Sequence, residues 1–272
     1  LEDWGVKRTE YREVVRELAK ALGMNWAYGV EFLEIDPKQL GIDTFDDGES
    51  EEERQQLLEV FKADKNKLRA MHGSAVLSRY PIRSARLVPF TVGYDWFKET
   101  KISSLEKGKR KAGVLIGEDL LREVRRGQRT TLYVDLDVPD APGKILTIAC
   151  THLENRAKPK VRRQQLEELL KEIHDIKHRV VVAGDMNTTG TDSTPTSVEY
   201  MLYKKLRVAK FKLDWVFVKA DLTQSRQADA PFLFAPHFAR ALVNLNNCLP
   251  ERISDHSPMT VDLPFHELTL GQ

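Results

Sequence analysis

Cysteine is almost absent from this chain of 272 residues: Cys150 and Cys248 are the only two, and they make no CxxC pair. That excludes a disulfide scaffold and a thiolate zinc site, which need several thiols at set spacings. No apolar run approaches the roughly 20 residues that carry a helix across a bilayer, so no such span is written in these residues. An excess of one charge is missing as well. Lys and Arg number 42 against 41 Asp and Glu, a net charge of +1, which excludes a polybasic protein that holds nucleic acid through bulk charge alone. The sequence also lacks a GxxxxGK[ST] phosphate loop, an HExxH zinc helix and a GxSxG nucleophile elbow, so the commonest nucleotidase, metalloprotease and esterase routes are closed.

What is present has the composition of a soluble globular protein, 41% hydrophobic and 31% charged, long enough to bury a full core. Neither an internal repeat nor a linker interrupts it, which predicts one domain over residues 1–272. The balanced charge is unevenly spread. Residues 31–64 carry twelve acids against three bases, residues 101–129 nine bases against four acids, and residues 151–163 five bases against one acid. The acidic block reads as a solvated helix face, and the basic segments suit an anionic substrate. Arg122, Arg125, Arg126 and Arg129 read either as a solvated helix end or as a source of one substrate contact.

Residues 9–23 predict an amphipathic helix with Thr9 as N-cap and Gly23 just past its end. Residues 26–35 predict a strand, and a short helix is expected over 51–61. Residues 75–77 and 85–89 read as paired strands around the Tyr80-Pro81 turn. Alternation predicts a strand over 131–138, and short apolar runs predict strands over 145–151, 180–183, 213–218 and 259–263. A helix opening at Pro159 joins two of them. Strands linked partly by helices and partly by hairpins indicate an α+β or mixed-sheet layered fold.

Polar residues gather where these strands end. One apolar strand runs into Gly184-Asp185-Met186-Asn187, another into Thr151-His152-Leu153-Glu154-Asn155, Asp214 lies in a third, and Asp255-His256 precede the last. Each has a bland explanation: an Asx-turn for Asp185 and Asn187, a hydrogen-bonded core histidine for His256, a loop cap for Asp214. Together they are hard to bury unless paired with one another or with a cation. His72-Gly73-Ser74 reads as structural, its Ser in a turn before a strand.

Five stretches, taken in order, resemble the endonuclease/exonuclease/phosphatase superfamily related to deoxyribonuclease I: residues 72–82, Thr151-His152-Leu153, Gly184-Asp185-Met186-Asn187, residues 212–217 and residues 253–258. Residues 6–12, 29–34 and 152–157 look like a bacterial branch of it. The resemblance implies a four-layer α/β (α+β) sandwich, two mostly antiparallel sheets flanked by helices, with the active site at one rim. It also implies that the first family strand precedes Leu1 and that a loop near 200–210 is shortened.

The resemblance further implies Mg²⁺, with Mn²⁺ as a substitute, held by Glu2 and Asp255, with Asp3 the alternative to Glu2. In the implied roles Asp185 orients and deprotonates the attacking water, Asn187 and His152 hold the phosphate, His256 donates to a phosphoryl oxygen, and Asp214 fixes the His256 ring. The expected substrate is a phosphate ester, whether nucleic acid, phospholipid head group or small ester, with no obligate protein partner evident. The alternative is a non-catalytic binding module that retains the fold.

Overall fold

The computed structural model describes residues 3–5, 12–35, 70–96, 124–139, 144–188, 214–219, 239–242, 256 and 258–261. In chain order the elements are β1 (Asp3–Trp4), α1 (Val14–Leu22), β2 (Asn25–Ile35), β3 (Met71–Ser78), β4 (Ile82–Pro89), β5 (Val124–Gly127), β6 (Thr130–Asp137), β7 (Ile145–His152), α2 (Pro159–His174), β8 (Arg179–Asp185), β9 (Asp214–Lys219), β10 (Ala239–Ala241) and β11 (Met259–Val261). The smaller main sheet has the order β1-β3-β2-β5 and the larger β4-β6-β7-β8-β9, while β10 and β11 pair separately. All described pairings are antiparallel except β7 with β8.

Alternation along the strands builds the layers. Val181, Leu132, Val134 and Leu136 of the larger sheet meet Val76 and Ala27 of the smaller one between the sheets. The opposite face of the larger sheet carries Ala149, Val180, Val182, Trp215 and Phe217, and α2 lays Leu166, Leu169 and Ile173 on it. Each of those three α2 side chains contributes about 1.5–3 kcal/mol by leaving water. Helix α1 packs against β1 and β2 with Val15 and Ala19 buried. The layers therefore run helix, sheet, sheet, helix. Pro159 occupies the first turn of α2, where its missing N–H costs nothing. At the other end Lys219 of β9, fully buried, donates from Nζ to the carbonyls of Ile173, His174 (2.8 Å) and Ile176 (2.6 Å).

Several expectations are corrected. Strands β3 and β4 do not pair with each other: β3 joins β1 and β2, whereas β4 pairs with β6 in the other sheet. Residues 79–81 are thus a crossing between layers. The Tyr80 carbonyl accepts from Asn25 Nδ2 (3.0 Å) on one side, and the Pro81 carbonyl from the Asp137 N–H (3.0 Å) on the other. Helix α1 begins at Val14, with Glu13 at the N-cap position making no side-chain capping bond, and Thr9 lies outside the described residues. Gly23 does end the helix, in the left-handed conformation at φ 63°. The helix expected over 51–61 lies outside the described residues.

Candidate active site

The larger sheet brings three polar side chains into one row. Because β7 and β8 are parallel, their C-terminal ends open at the same rim, and antiparallel β9 starts there. His152 pairs in register with Asp185, and Asp185 with Asp214. By the two-residue period of strands, these three share the face of Ile148, Val181 and Val216, which line the space between the sheets. The row is therefore an inward-facing polar end to an apolar layer.

Local chemistry holds the rim in place. Gly184 adopts φ 151° and lies so close to β7 that a Cβ there would stand 1.7 Å from the Thr151 carbonyl oxygen. Only glycine tolerates both conditions. Beyond it, the Asn187 backbone N–H donates to Asp185 Oδ1 (2.7 Å), an Asx-turn, with Asn187 at φ 50°. Asn187 Nδ2 donates to the Leu153 carbonyl (2.7 Å), and the Leu153 N–H donates to the Asp185 carbonyl (2.9 Å). The Asx-turn weighed as a bland reading of Asp185 and Asn187 is thus real, and it is the device that stitches the loops after β7 and β8 together.

Within the row, His152 Nε2 stands 3.6 Å from Asp185 Oδ2. His256 closes the far side, with Nδ1 2.8 Å from Asp214 Oδ2. Since a carboxylate only accepts, Nδ1 carries a proton. Asp185, Asp214 and His256 each offer a ligand atom within 4.8 Å of the others'. Two carboxylates this close repel, and a divalent cation nearby would offset that repulsion. The structure brings His152, Asp185, Asn187, Asp214 and His256 to one rim. Glu2 and Asp255 lie outside the described residues; Asp3 is described, in register with His72.

Behind the row lies a buried charged layer that sequence reasoning missed. Glu31, on β2, pairs with Arg129 (2.9 Å), and both are sealed from solvent. His72 Nδ1 is 4.0 Å from Glu31 Oε2, and the His72 and His152 ring centroids are 6.3 Å apart. Glu154 accepts from Trp96 Nε1 (3.0 Å) and stands 4.0 Å from Arg129 Nε. Burial raises the Glu31 carboxyl above its ordinary range, against the opposing pull of Arg129 and His152.

Three readings change accordingly. Glu31 and Glu34 belong to a strand, and Glu31 is buried, so the acidic block is not one solvated helix face. Arg125 and Arg126 lie in β5 rather than at a helix end; Arg125 pairs with Glu34 (3.0 Å), while Arg122 lies outside the described residues. Ser74 sits inside β3 and not in a turn before it. The available signal was the alternation of β2, where Trp26, Tyr28 and Val30 leave Ala27, Gly29 and Glu31 to face the other sheet.

The family model described as "Endonuclease/Exonuclease/phosphatase family" matches residues 64–256. Among solved structures, the endonuclease/exonuclease/phosphatase from Beutenbergia cavernae DSM 12333 is 19% identical, with 72% of this chain and 39% of that one covered and a TM-score of 0.39. The 2',3'-cyclic phosphatase ANGEL2 is 18% identical over 70% of this chain and 38% of that one, with a TM-score of 0.36. Humanized D. rerio TDP2, carrying 14 mutations, is 15% identical over 90% and 77%, with a TM-score of 0.47. The chain spans about two fifths of the length of the first two. No curated protein matches it in sequence.

Proposed function

Because the chain belongs to the endonuclease/exonuclease/phosphatase family, we propose that it is a divalent-metal-dependent phosphoesterase that hydrolyses a phosphodiester or phosphomonoester by direct in-line attack of water. The observation that carries this reading is the register row His152, Asp185, Asp214, closed by the bond from His256 to Asp214.

Asp185 is the base. Its Oδ1 accepts from the Asn187 N–H, which leaves Oδ2 to orient a water and take its proton as the new P–O bond forms and the ester P–O bond breaks. His152, beside Oδ2, and Asn187 hold non-bridging phosphate oxygens. His256 donates from its other ring nitrogen to a phosphoryl oxygen, and Asp214 fixes its tautomer. A phosphate ester is anionic and repels an incoming hydroxide, so donors aimed at its oxygens lower the barrier. Mg²⁺, with Mn²⁺ as a substitute, would be held by Glu2 and Asp255, and when bound it would offset phosphate charge and ease ionisation of water. The substrate is a phosphate ester: nucleic acid, phospholipid head group or small ester.

The test is hydrolysis of bis-p-nitrophenyl phosphate and p-nitrophenyl phosphate by the full chain, with Mg²⁺ and with EDTA, beside Asp185→Ala. Metal-dependent turnover that the substitution abolishes is the expected result. No turnover of either ester with Mg²⁺ or Mn²⁺ would favour a binding module that keeps the fold.

A further inference from the structure

Three guanidinium groups gather around Trp96 and Phe32 at the active-site rim, and they differ in what they face. Arg125 and Arg129 are buried and paired with Glu34 and Glu31. Arg156 is exposed. Its guanidinium carbon stands 4.7 Å from the centre of the Trp96 ring, and among the described residues no carboxylate lies within ion-pair distance of that guanidinium. The backbone N–H of Arg156 donates to Glu154 Oε1 (3.2 Å), so the residue is tied at its main chain as well.

The platform beneath it is rigid. Trp96 is 2% exposed, Glu154 Oε2 accepts from its Nε1 (3.0 Å), and Phe32 and Tyr94 meet it edge-on. Glu154 is itself anchored to α2, its backbone N–H donating to Gln165 Oε1 (2.9 Å). Cation–π attraction holds an arginine over such a ring, while the in-plane N–H fork, matched to phosphate oxygens, stays outside the ring system. Arg156 follows Leu153 by three residues, at most about 11 Å of chain, and Leu153 is bonded to both Asp185 and Asn187. An oriented cation without a carboxylate partner therefore stands beside the proposed catalytic rim.

We infer that Arg156 is a second phosphate-binding position, which receives a phosphate of the substrate flanking the one that is hydrolysed. This rests on the phosphoesterase reading and narrows its substrate class to esters with at least two phosphates. The flanking phosphate is either the neighbouring phosphodiester of a nucleotide chain or a second phosphate on a small ester.

The test is calorimetric titration of the full chain with Mg²⁺ and two ligand pairs: thymidine 5′-monophosphate against thymidine 3′,5′-bisphosphate, and fructose 6-phosphate against fructose 1,6-bisphosphate. In at least one pair the bisphosphate is expected to bind about tenfold more tightly, as one charge-assisted contact allows. The nucleotide pair points to a polynucleotide and the sugar pair to a small ester. Arg156→Gln should bring that preference close to unity, Arg156→Lys should retain part of it, and Lys160→Gln, which removes an exposed charge nearby, should leave it intact. An undiminished preference in Arg156→Gln, or no preference in the wild type for either pair, overturns the inference. The preference is read from affinity, so a failure to hydrolyse any ester counts against the phosphoesterase reading alone.

Discussion

Asp214 and His256 are joined by a single hydrogen bond, from His256 Nδ1–H to Asp214 Oδ2 at 2.8 Å, between residues 42 apart in sequence. The bond makes Nδ1 the protonated nitrogen, so His256 depends on a group that only accepts. In Asp214→Asn the amide can donate instead, and the ring then loses both its tautomer and the nearby negative charge. The expected effect is a fall in kcat of about 10²–10⁴ with a smaller change in KM, as for other histidine–carboxylate pairs. The pair is only half-buried, so the urea midpoint should stay near the wild-type value. A kcat within about threefold of wild type, less than 1 kcal/mol in barrier, would remove Asp214 from the mechanism.

Gly184 is a sharper test of the architecture. A Cβ placed 1.7 Å from the Thr151 carbonyl must push β8 away from β7, and φ 151° is strained for any side chain. Both faults fall on the one parallel pairing of the larger sheet, which carries His152 and Asp185. Gly184→Ala should therefore lower the unfolding free energy by about 3 kcal/mol or more, read from urea unfolding, and should lower activity even where the protein remains folded. A wild-type midpoint would mean that the two strands are not held this closely.

The layered class and the position of most strands were legible because periodicity is a local signal. Alternation at Leu132, Val134 and Leu136, and the run at Val180–Val182, gave strands within a residue or two of those observed. The convergence of His152, Asp185 and Asp214 was also legible, since an apolar strand that ends in an acid or a histidine delivers it to a sheet rim. Pairing was not legible. Nothing in residues 75–89 says that β3 and β4 belong to different sheets, because the partners that decide it, β2 and β6, are distant in sequence. Glu31 was hidden for the opposite reason: it stands next to a long acidic stretch, so composition masked a buried ion pair made with Arg129, 98 residues away.

Lys219 bears on the helix layer. Its Nζ, buried under the C-terminal end of α2, donates to the carbonyls of Ile173, His174 and Ile176, the first of which also accepts from the Ile176 N–H. Lys219→Met keeps the aliphatic stem but removes the charged donor from those carbonyls. A loss of about 2–4 kcal/mol is expected in urea unfolding, from unmade hydrogen bonds to a charged group. Desolvation lowers the Lys219 ammonium below its ordinary value, which sets part of the cost of burying it against this gain. An unchanged midpoint would mean that the two cancel.

Glu31 supplies the dependence on pH. Burial raises its carboxyl, while Arg129 at 2.9 Å, from the turn between β5 and β6, His72 of β3 at 4.0 Å and the charge of His152 of β7 face it. In the window above the ordinary carboxylate value the folded protein keeps a proton that the unfolded chain has released. The folded state then binds more protons, and the contribution of this group to stability falls as pH rises through the window and levels off above the raised value. Glu31→Gln removes that proton linkage, so its stability curve should lack the downward slope over the mildly acidic range. The wild type should therefore gain stability relative to the variant as the solution is acidified. Unfolding free energies from urea titrations, compared between the two proteins from mildly acidic to neutral pH, check both statements, and parallel curves would show that Glu31 stays ionised throughout.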